Sequence, residues 1–284
     1  NVTLTGGGAS SYTWNNGITN GVAFVANATT TYTVTGTDAN GCVNTAQTTV
    51  TVNANPTIYN GPNVNVCVGS SIQLFASPTP AVTNAWTSTN NSISNTGFFI
   101  ATLIGTHMVT YTNNNGCSST IQISVNALPT VTGNSSLCIG STSQLTGSAT
   151  TSSWASNAVG VATVSNTGFV NAVSAGSANI TYTNTNGCAV VLPVTVFANP
   201  TISGGVSLCV SNTLQLTGSG TAAAANAWAS SNTAVATISN TGLITAITAG
   251  TSTITYINNN NCSVTSTITV NALPSITGNN TLCE

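Results

Sequence analysis

The 284-residue sequence has no lysine and no arginine, two carboxylates (Asp38 and Glu284), one histidine (His107) and one methionine. Charged residues make up 1% of it, where an average soluble domain carries about 25%. A chain without cations cannot neutralise phosphates, so nucleic acid is excluded as a partner by ordinary electrostatics. The same poverty excludes most catalysis. No general acid, base or metal set can be assembled, and we read no catalytic residue, no cofactor and no metal site. His107 alone makes neither a triad nor a metal centre and reads as structural filler. Asp38, in Asp38-Ala39-Asn40-Gly41, hints at a calcium loop. Calcium needs about six to eight oxygens, commonly from several carboxylates, so a turn-forming role is favoured. Hydrophobic residues reach 41%, but no run approaches the ~18 needed to span a bilayer, and membrane insertion is not expected. No targeting signal is visible at the first residues.

What the sequence does have is repetition. Pro56, Pro129, Pro200 and Pro274 stand 73, 71 and 74 residues apart, each in an Asn/Ala/Leu-rich junction. Trp14, Trp86, Trp154 and Trp228 mark one site in each repeat, and Tyr32, Tyr111, Tyr182 and Tyr256 another. Cys67, Cys138, Cys209 and Cys283 follow the junction prolines, while Cys42, Cys117, Cys188 and Cys262 follow Asn/Gly-rich turns. These markers divide the chain into a truncated repeat (1–53), three whole repeats (54–126, 127–197 and 198–271) and the first strand of another (272–284). Residues 1–284 are thus expected to be a window on a longer array.

Within a repeat, short β-branched segments such as Val161-Ala162-Thr163-Val164 and Asn179-Ile180-Thr181-Tyr182-Thr183 alternate with turns. Period two and six to ten residues between turns predict strands. Asn40-Gly41, Asn115-Gly116 and Asn186-Gly187 supply hairpin dipeptides that tolerate positive φ, with Asn260-Asn261 in the fourth repeat. No segment has helical periodicity. The fold class is all-β, and each whole repeat reads as a small antiparallel sandwich around one Trp.

The third repeat, with Trp154, Val161-Ala162-Thr163-Val164-Ser165, Gly168-Phe169-Val170, Ala175-Gly176 and Ile180-Thr181-Tyr182-Thr183, resembles the group 2 bacterial immunoglobulin-like domain. The fourth repeats this closely around Trp228, Gly242 and Tyr256. The second departs from it, with Ile93-Ser94 where the Val-Ala-Thr-Val strand should be. The first, with Tyr12-Thr13-Trp14 and Asp38-Ala39-Asn40-Gly41-Cys42, resembles PKD-like repeats. The resemblance implies tandem sandwiches arranged head to tail, with the eight Trp and Tyr markers in their cores. The Tyr hydroxyls are expected to bond backbone. It also implies a stalk, spacer or binding tip of an extracellular, cell-surface protein, like the giant adhesins and filaments of gliding or predatory Gram-negative bacteria exported by the type IX pathway.

Eight cysteines in repeat register imply an oxidising compartment. In an immunoglobulin-like sandwich Cys138 would end the first strand and Cys188 would begin the last, at opposite poles. Nine strand residues at about 3.3 Å each separate the poles by roughly 30 Å, whereas a disulfide needs Cα atoms within about 7 Å. Head-to-tail stacking would instead bring Cys67 to Cys188 and Cys138 to Cys262. Cys42, Cys117, Cys209 and Cys283 would then find partners in sequence outside this window. A different placement of the first strand restores pairing inside a repeat, such as Cys67 with Cys117, and both arrangements stay open.

Sheets usually guard their edges with Lys or other charges, and near-zero net charge favours association. The chain is therefore expected to partner itself, as parallel copies in a homo-oligomeric filament. The surface of another cell or glycans are further expected partners, the latter through exposed loops such as 221–225. Ice or mineral binding through Thr ladders is disfavoured, since such ladders usually need a flat solenoid of short period. With so few charges to screen, assembly should depend weakly on salt. We expect its midpoint concentration to shift less than about twofold between low and high salt in sedimentation measurements.

Overall fold

The computed structural model describes residues 1–148 and 152–278, so Cys283 lies outside the described residues. The chain forms two compact units, Asn1–Ala127 and Leu128–Glu284. Among the described residues, apart from a single turn of 3-10 helix at Asn15–Gly17, the regular structure is all β.

The first unit begins with an antiparallel sheet of β1 (Ser11–Trp14), β2 (Thr30–Thr37) and β3 (Val43–Val50), with β2 in the middle. A short ladder joins Val2–Thr3 to Ala23–Phe24. All residues of β3 before Val50 are exposed, and among the described residues its outer edge has no neighbour. The unit continues with a sandwich. One sheet contains β4 (Asn63–Cys67), β5 (Trp86–Ser88), β6 (Gly105–Thr112) and β7 (Ser118–Asn126) in the order β5-β6-β7-β4. The other is built from Ser71–Gln73, Ser92–Ile93 and Phe98–Ile100.

The second unit holds two sandwiches of the same plan. In the first, β8 (Ser136–Cys138), β9 (Ser152–Ser156), β10 (Gly176–Asn184) and β11 (Ala189–Phe197) are ordered β8-β11-β10-β9. In the second, β12 (Ser207–Cys209), β13 (Trp228–Ser230), β14 (Gly250–Ile257) and β15 (Ser263–Asn271) are ordered β12-β15-β14-β13. Three-stranded sheets centred on Phe169–Ala172 and Leu243–Ala246 complete them. The fold is a tandem array of immunoglobulin-like antiparallel β-sandwiches, with one pairing in each that is not antiparallel. The first strand lies parallel on the last, with Cys67 opposite Asn126, Cys138 opposite Phe197 and Cys209 opposite Asn271.

The alternation seen in the sequence is the alternation of burial. Along β10, Ala178, Ile180 and Tyr182 point into the core between Thr and Asn residues that do not, and β11 adds Val194 and Val196. Each fully buried Ile or Val contributes about 1.5–3 kcal/mol, which is how short strands rich in Thr and Asn hold together. Trp86, Trp154 and Trp228 stand directly across from Tyr111, Tyr182 and Tyr256, with ring centroids 4.8, 4.4 and 4.6 Å apart. Trp154 is half-buried, and the other two tryptophans are buried.

The sheet of β1, β2 and β3 departs from this pattern. Trp14 is buried, but it faces Val34. Tyr32 is buried against Phe24 at 5.1 Å and lies opposite Thr48, so it is not the counterpart of the other three tyrosines. Tyr12 is. In the two sandwiches of the second unit a Leu-Thr-Gly segment passes so close to the tyrosine that a Cβ on Gly147 would lie 2.1 Å from the Tyr182 ring, and one on Gly218 2.3 Å from that of Tyr256. A Cβ on Gly6, in Leu4-Thr5-Gly6, would meet the Tyr12 ring at 2.5 Å. The ring reaches the same place from the opposite strand.

This close approach sets a stability test. Gly147→Ala should cost about 1–3 kcal/mol in urea unfolding, because ring or backbone must shift. Gly160→Ala, whose added Cβ meets nothing within 4 Å, should stay within about 0.5 kcal/mol of the parent.

Candidate functional site

The chemistry of this chain is concentrated in its cysteines, and two kinds of turn present them. The first ends the first strand. The Cys138 carbonyl accepts the Ser141 amide at 2.9 Å and the Ser141 hydroxyl at 2.7 Å, while Gly140, at φ 81°, donates its N–H to Ala172 of the facing sheet. Gly69 and Ser211 hold the same position with φ 85° and 71° and bond to Ala101 and Ala246. Each cysteine therefore sits where the chain crosses between sheets.

The second turn precedes the last strand and is built on a side chain. Asn258 Oδ1 accepts the amides of Asn260 (3.1 Å) and Cys262 (3.0 Å), and its own N–H donates to the Cys262 carbonyl at 3.0 Å. Asn113 and Asn184 serve Cys117 and Cys188 in the same way. Before β3, Asp38 does this for Asn40 and Cys42, at 2.9 and 2.8 Å. Asp38 is thus a turn residue. Sequence reading singled out the Asn-Gly dipeptides but missed Asn113, Asn184 and Asn258. The available signal was an Asn or Asp four residues before each cysteine of this set.

Cys138 and Cys262 form a disulfide with Cα atoms 5.6 Å apart, joining the end of β8 to the turn before β15. Cys262 is fully buried. Cys67 and Cys188 are also disulfide-bonded. Cys42, Cys117 and Cys209 are free thiols. Within each whole sandwich the two cysteines lie at opposite ends of the last strand, as the parallel registers and the strand starts at Ser118, Ala189 and Ser263 require.

His107 is buried in β6 opposite Ile123, with Nε2 2.9 Å from the Leu103 carbonyl. The buried Tyr111 hydroxyl donates to the Pro78 carbonyl at 2.5 Å, and burial pushes its pKa up from 10.0. Tyr256 reaches the Gly220 carbonyl at 3.5 Å. Among the described residues no three His, Cys, Asp or Glu side chains gather as a metal site would require. No helix among them is long and apolar enough to cross a membrane.

Residues 190–270 match the family model of the bacterial Ig-like domain (group 2). The fold itself is that of tandem immunoglobulin-like sandwiches. Among solved structures it is similar to invasin, a bacterial integrin-binding protein, at 17% identity over 92% of this chain and 71% of that one, with a TM-score of 0.36. It is similar to domains 1–6 of the surface-layer protein SbsC at 18% identity over 88% of this chain and 45% of that one, with a TM-score of 0.24. A 282-residue C-terminal fragment of intimin, solved with the intimin-binding domain of its translocated receptor, gives 18% identity over 71% and 64% of the two chains and a TM-score of 0.28. The chain spans less than half of that surface-layer structure. No curated protein matches its sequence.

The Cys138–Cys262 bond closes a sequence separation of 124 residues. A loop of that order is worth about 4–5 kcal/mol in the chain-entropy model. We expect the Cys138→Ser/Cys262→Ser double variant to lose about 3–5 kcal/mol of stability in guanidinium unfolding.

Proposed function

We propose that this chain is a structural repeat segment of a very long extracellular filament or adhesin stalk, stapled by disulfides and self-associating, that serves attachment to surfaces or other cells. The observation that carries this reading is the Cys138–Cys262 bond, which ties one sandwich to the next instead of closing a loop within either. In this reading Cys67 and Cys188, both disulfide-bonded, form the equivalent staple one repeat earlier, and the repeats run 54–126, 127–197 and 198–271. Such staples restrict bending and resist pulling, which is what a stalk must do. Disulfides belong to oxidising surroundings, in keeping with an extracellular, cell-surface location and export such as the type IX pathway provides.

Self-association is supported by one apolar position that recurs on the outside. Phe98, Phe169 and Leu243 each follow a glycine of positive φ in the middle strand of a three-stranded sheet, and they are 42%, 46% and 40% exposed. No lysine stands near to repel a second copy. The test is mass per unit length, measured by small-angle scattering as concentration rises. It should exceed that of one chain, and Phe98→Ser/Phe169→Ser/Leu243→Ser should raise the association midpoint about tenfold. A dispersed single chain at high concentration refutes lateral assembly. The second reading is a module gripping glycans through residues 221–225, of which all but Ala223 are exposed. Binding of the isolated chain on a glycan array would favour it.

A further inference from the structure

The second repeat builds its sandwich with a shorter segment than the third and fourth. Trp86 and Gly97 stand 11 residues apart, whereas Trp154 and Gly168, and Trp228 and Gly242, stand 14 apart. In the longer repeats the additional residues form a turn with three backbone groups at work. The Val161 carbonyl accepts the amides of Val173 and Ser174, and the Val235 carbonyl those of Ile247 and Thr248. The next amide, of Ala162 or Ala236, donates to the carbonyl of Ala158 or Asn232. The carbonyl of Ala162 or Ala236 then accepts the hydroxyl of Ser156 or Ser230, at 2.7 and 2.6 Å. A Cβ on Gly176 or Gly250 would lie 3.1 Å from the Val161 or Val235 side chain, so that valine packs against the start of β10 or β14.

Two side chains stand in for that turn in the second repeat. Asn91 Oδ1 accepts the amides of Thr102 at 2.7 Å and Leu103 at 2.9 Å. These are the counterparts of Val173 and Ser174, so the Asn91 side-chain amide replaces the Val161 peptide. His107, where the longer repeats carry Ala178 and Ser252, takes the place of the valine, since a Cβ on Gly105 would meet its Nε2 at 3.9 Å. The replacement is incomplete. Asn91 Nδ2 corresponds to the Ala162 amide, and Ser88 Oγ to that of Ser156, but the carbonyls those groups bond belong to the turn that is missing. His107 Nε2 lies 2.9 Å from the Leu103 carbonyl. A carbonyl only accepts, so in the neutral ring Nε2 carries the proton and Nδ1 is a bare acceptor. Among the described residues, the buried side-chain nitrogens and oxygens without a hydrogen-bond partner are Ser88 Oγ, Asn91 Nδ2 and His107 Nδ1. Asn91 is 7% exposed and His107 3%.

Register brings the three to one space. Ser88 lies opposite Val109 and diagonal to His107. In the fourth repeat the hydroxyls at those two positions, Ser230 and Ser252, are 2.8 Å apart, and Ser252 Oγ also accepts the Asn232 amide of the turn at 3.1 Å. Asn91 and His107 both hold Leu103, one by its amide and the other by its carbonyl. We infer that the second sandwich binds one internal water between Ser88 Oγ, Asn91 Nδ2 and His107 Nδ1, in the place of the missing peptide. The set of donors and acceptors selects water. Its oxygen accepts an Nδ2 hydrogen, one of its own hydrogens goes to Nδ1 and the other to Ser88 Oγ, which makes the roughly three bonds usual for a buried water. A cation is turned away by the Asn91 N–H, and an anion by the Nδ1 lone pair. In the third and fourth repeats backbone groups meet the same needs, so the site belongs to the second repeat. Such a water is held whether or not the chain assembles into a filament.

His107 is the single histidine of the chain, so its ring signals identify themselves in nitrogen NMR spectra of the isotope-labelled 284-residue protein. Nε2 should be protonated, and Nδ1 should show the shift of a hydrogen-bonded acceptor. The Asn91 side-chain amide protons should give a direct cross-relaxation peak to water, with the sign of a long-lived bound molecule. The Ala162 and Ala236 amides, bonded to backbone carbonyls, should give none. In His107→Phe, which fills the volume of the ring without an acceptor, the Asn91 peak should be lost while the Trp86 and Tyr111 ring signals report that the sandwich is folded. Several results overturn the proposal in the unaltered chain alone: a proton on Nδ1, an Asn91 amide without the water peak, or a scalar coupling that shows Nδ2 bonded directly to Nδ1. An equal water peak at Ala236 also overturns it, as does an Asn91 peak that persists in folded His107→Phe.

Discussion

The parallel register between the first and last strands decides what the cysteines of this protein can do. In the sandwich of residues 131–197, Cys138 lies opposite Phe197, while Cys188 immediately precedes Ala189 at the start of the same strand. At about 3.3 Å per residue the two sulfurs of one repeat are held roughly 30 Å apart. No rotamer closes that distance. A sandwich so arranged offers one thiol at each pole, and a bond forms only where poles of different repeats meet, as at Cys138–Cys262.

How a protein with 1% charged residues shapes its turns is answered by amide chemistry. Asn113, Asn184 and Asn258 each satisfy two backbone N–H groups that an uncapped turn would leave to solvent. Asp38 does the same with a carboxylate, and nothing in its geometry uses the charge. Polar but neutral side chains thus meet local hydrogen-bonding needs without adding the repulsion that keeps surfaces apart.

Much of this was legible in the sequence because each repeat restates it. Period-two alternation identified strands such as β10, and the fixed spacing of Trp154 and Trp228 to Tyr182 and Tyr256 reflects pairs that face each other across two strands. The cysteine poles could be argued only after the immunoglobulin-like resemblance had placed the first strand, since periodicity does not distinguish a parallel neighbour from an antiparallel one. The β-branched run Thr31-Tyr32-Thr33-Val34-Thr35 sets Tyr32 beside the other tyrosines in the sequence, and Tyr32 is buried as they are. The structure gives that place to Tyr12, which fills the same volume against Gly6 from another strand, and volume is conserved where sequence position is not.

The burial of the Cys138–Cys262 bridge is lopsided, with Cys262 fully buried and Cys138 half-buried in its turn. Thiol–disulfide exchange proceeds by in-line attack on whichever sulfur a thiolate can reach. Attack at the less buried partner, Cys138, would leave an external reductant attached there and expel Cys262 as the leaving group. Held in its Asn258 turn, the displaced sulfur remains next to the mixed disulfide it has to attack, so the bridge reseals itself unless a second reductant arrives first.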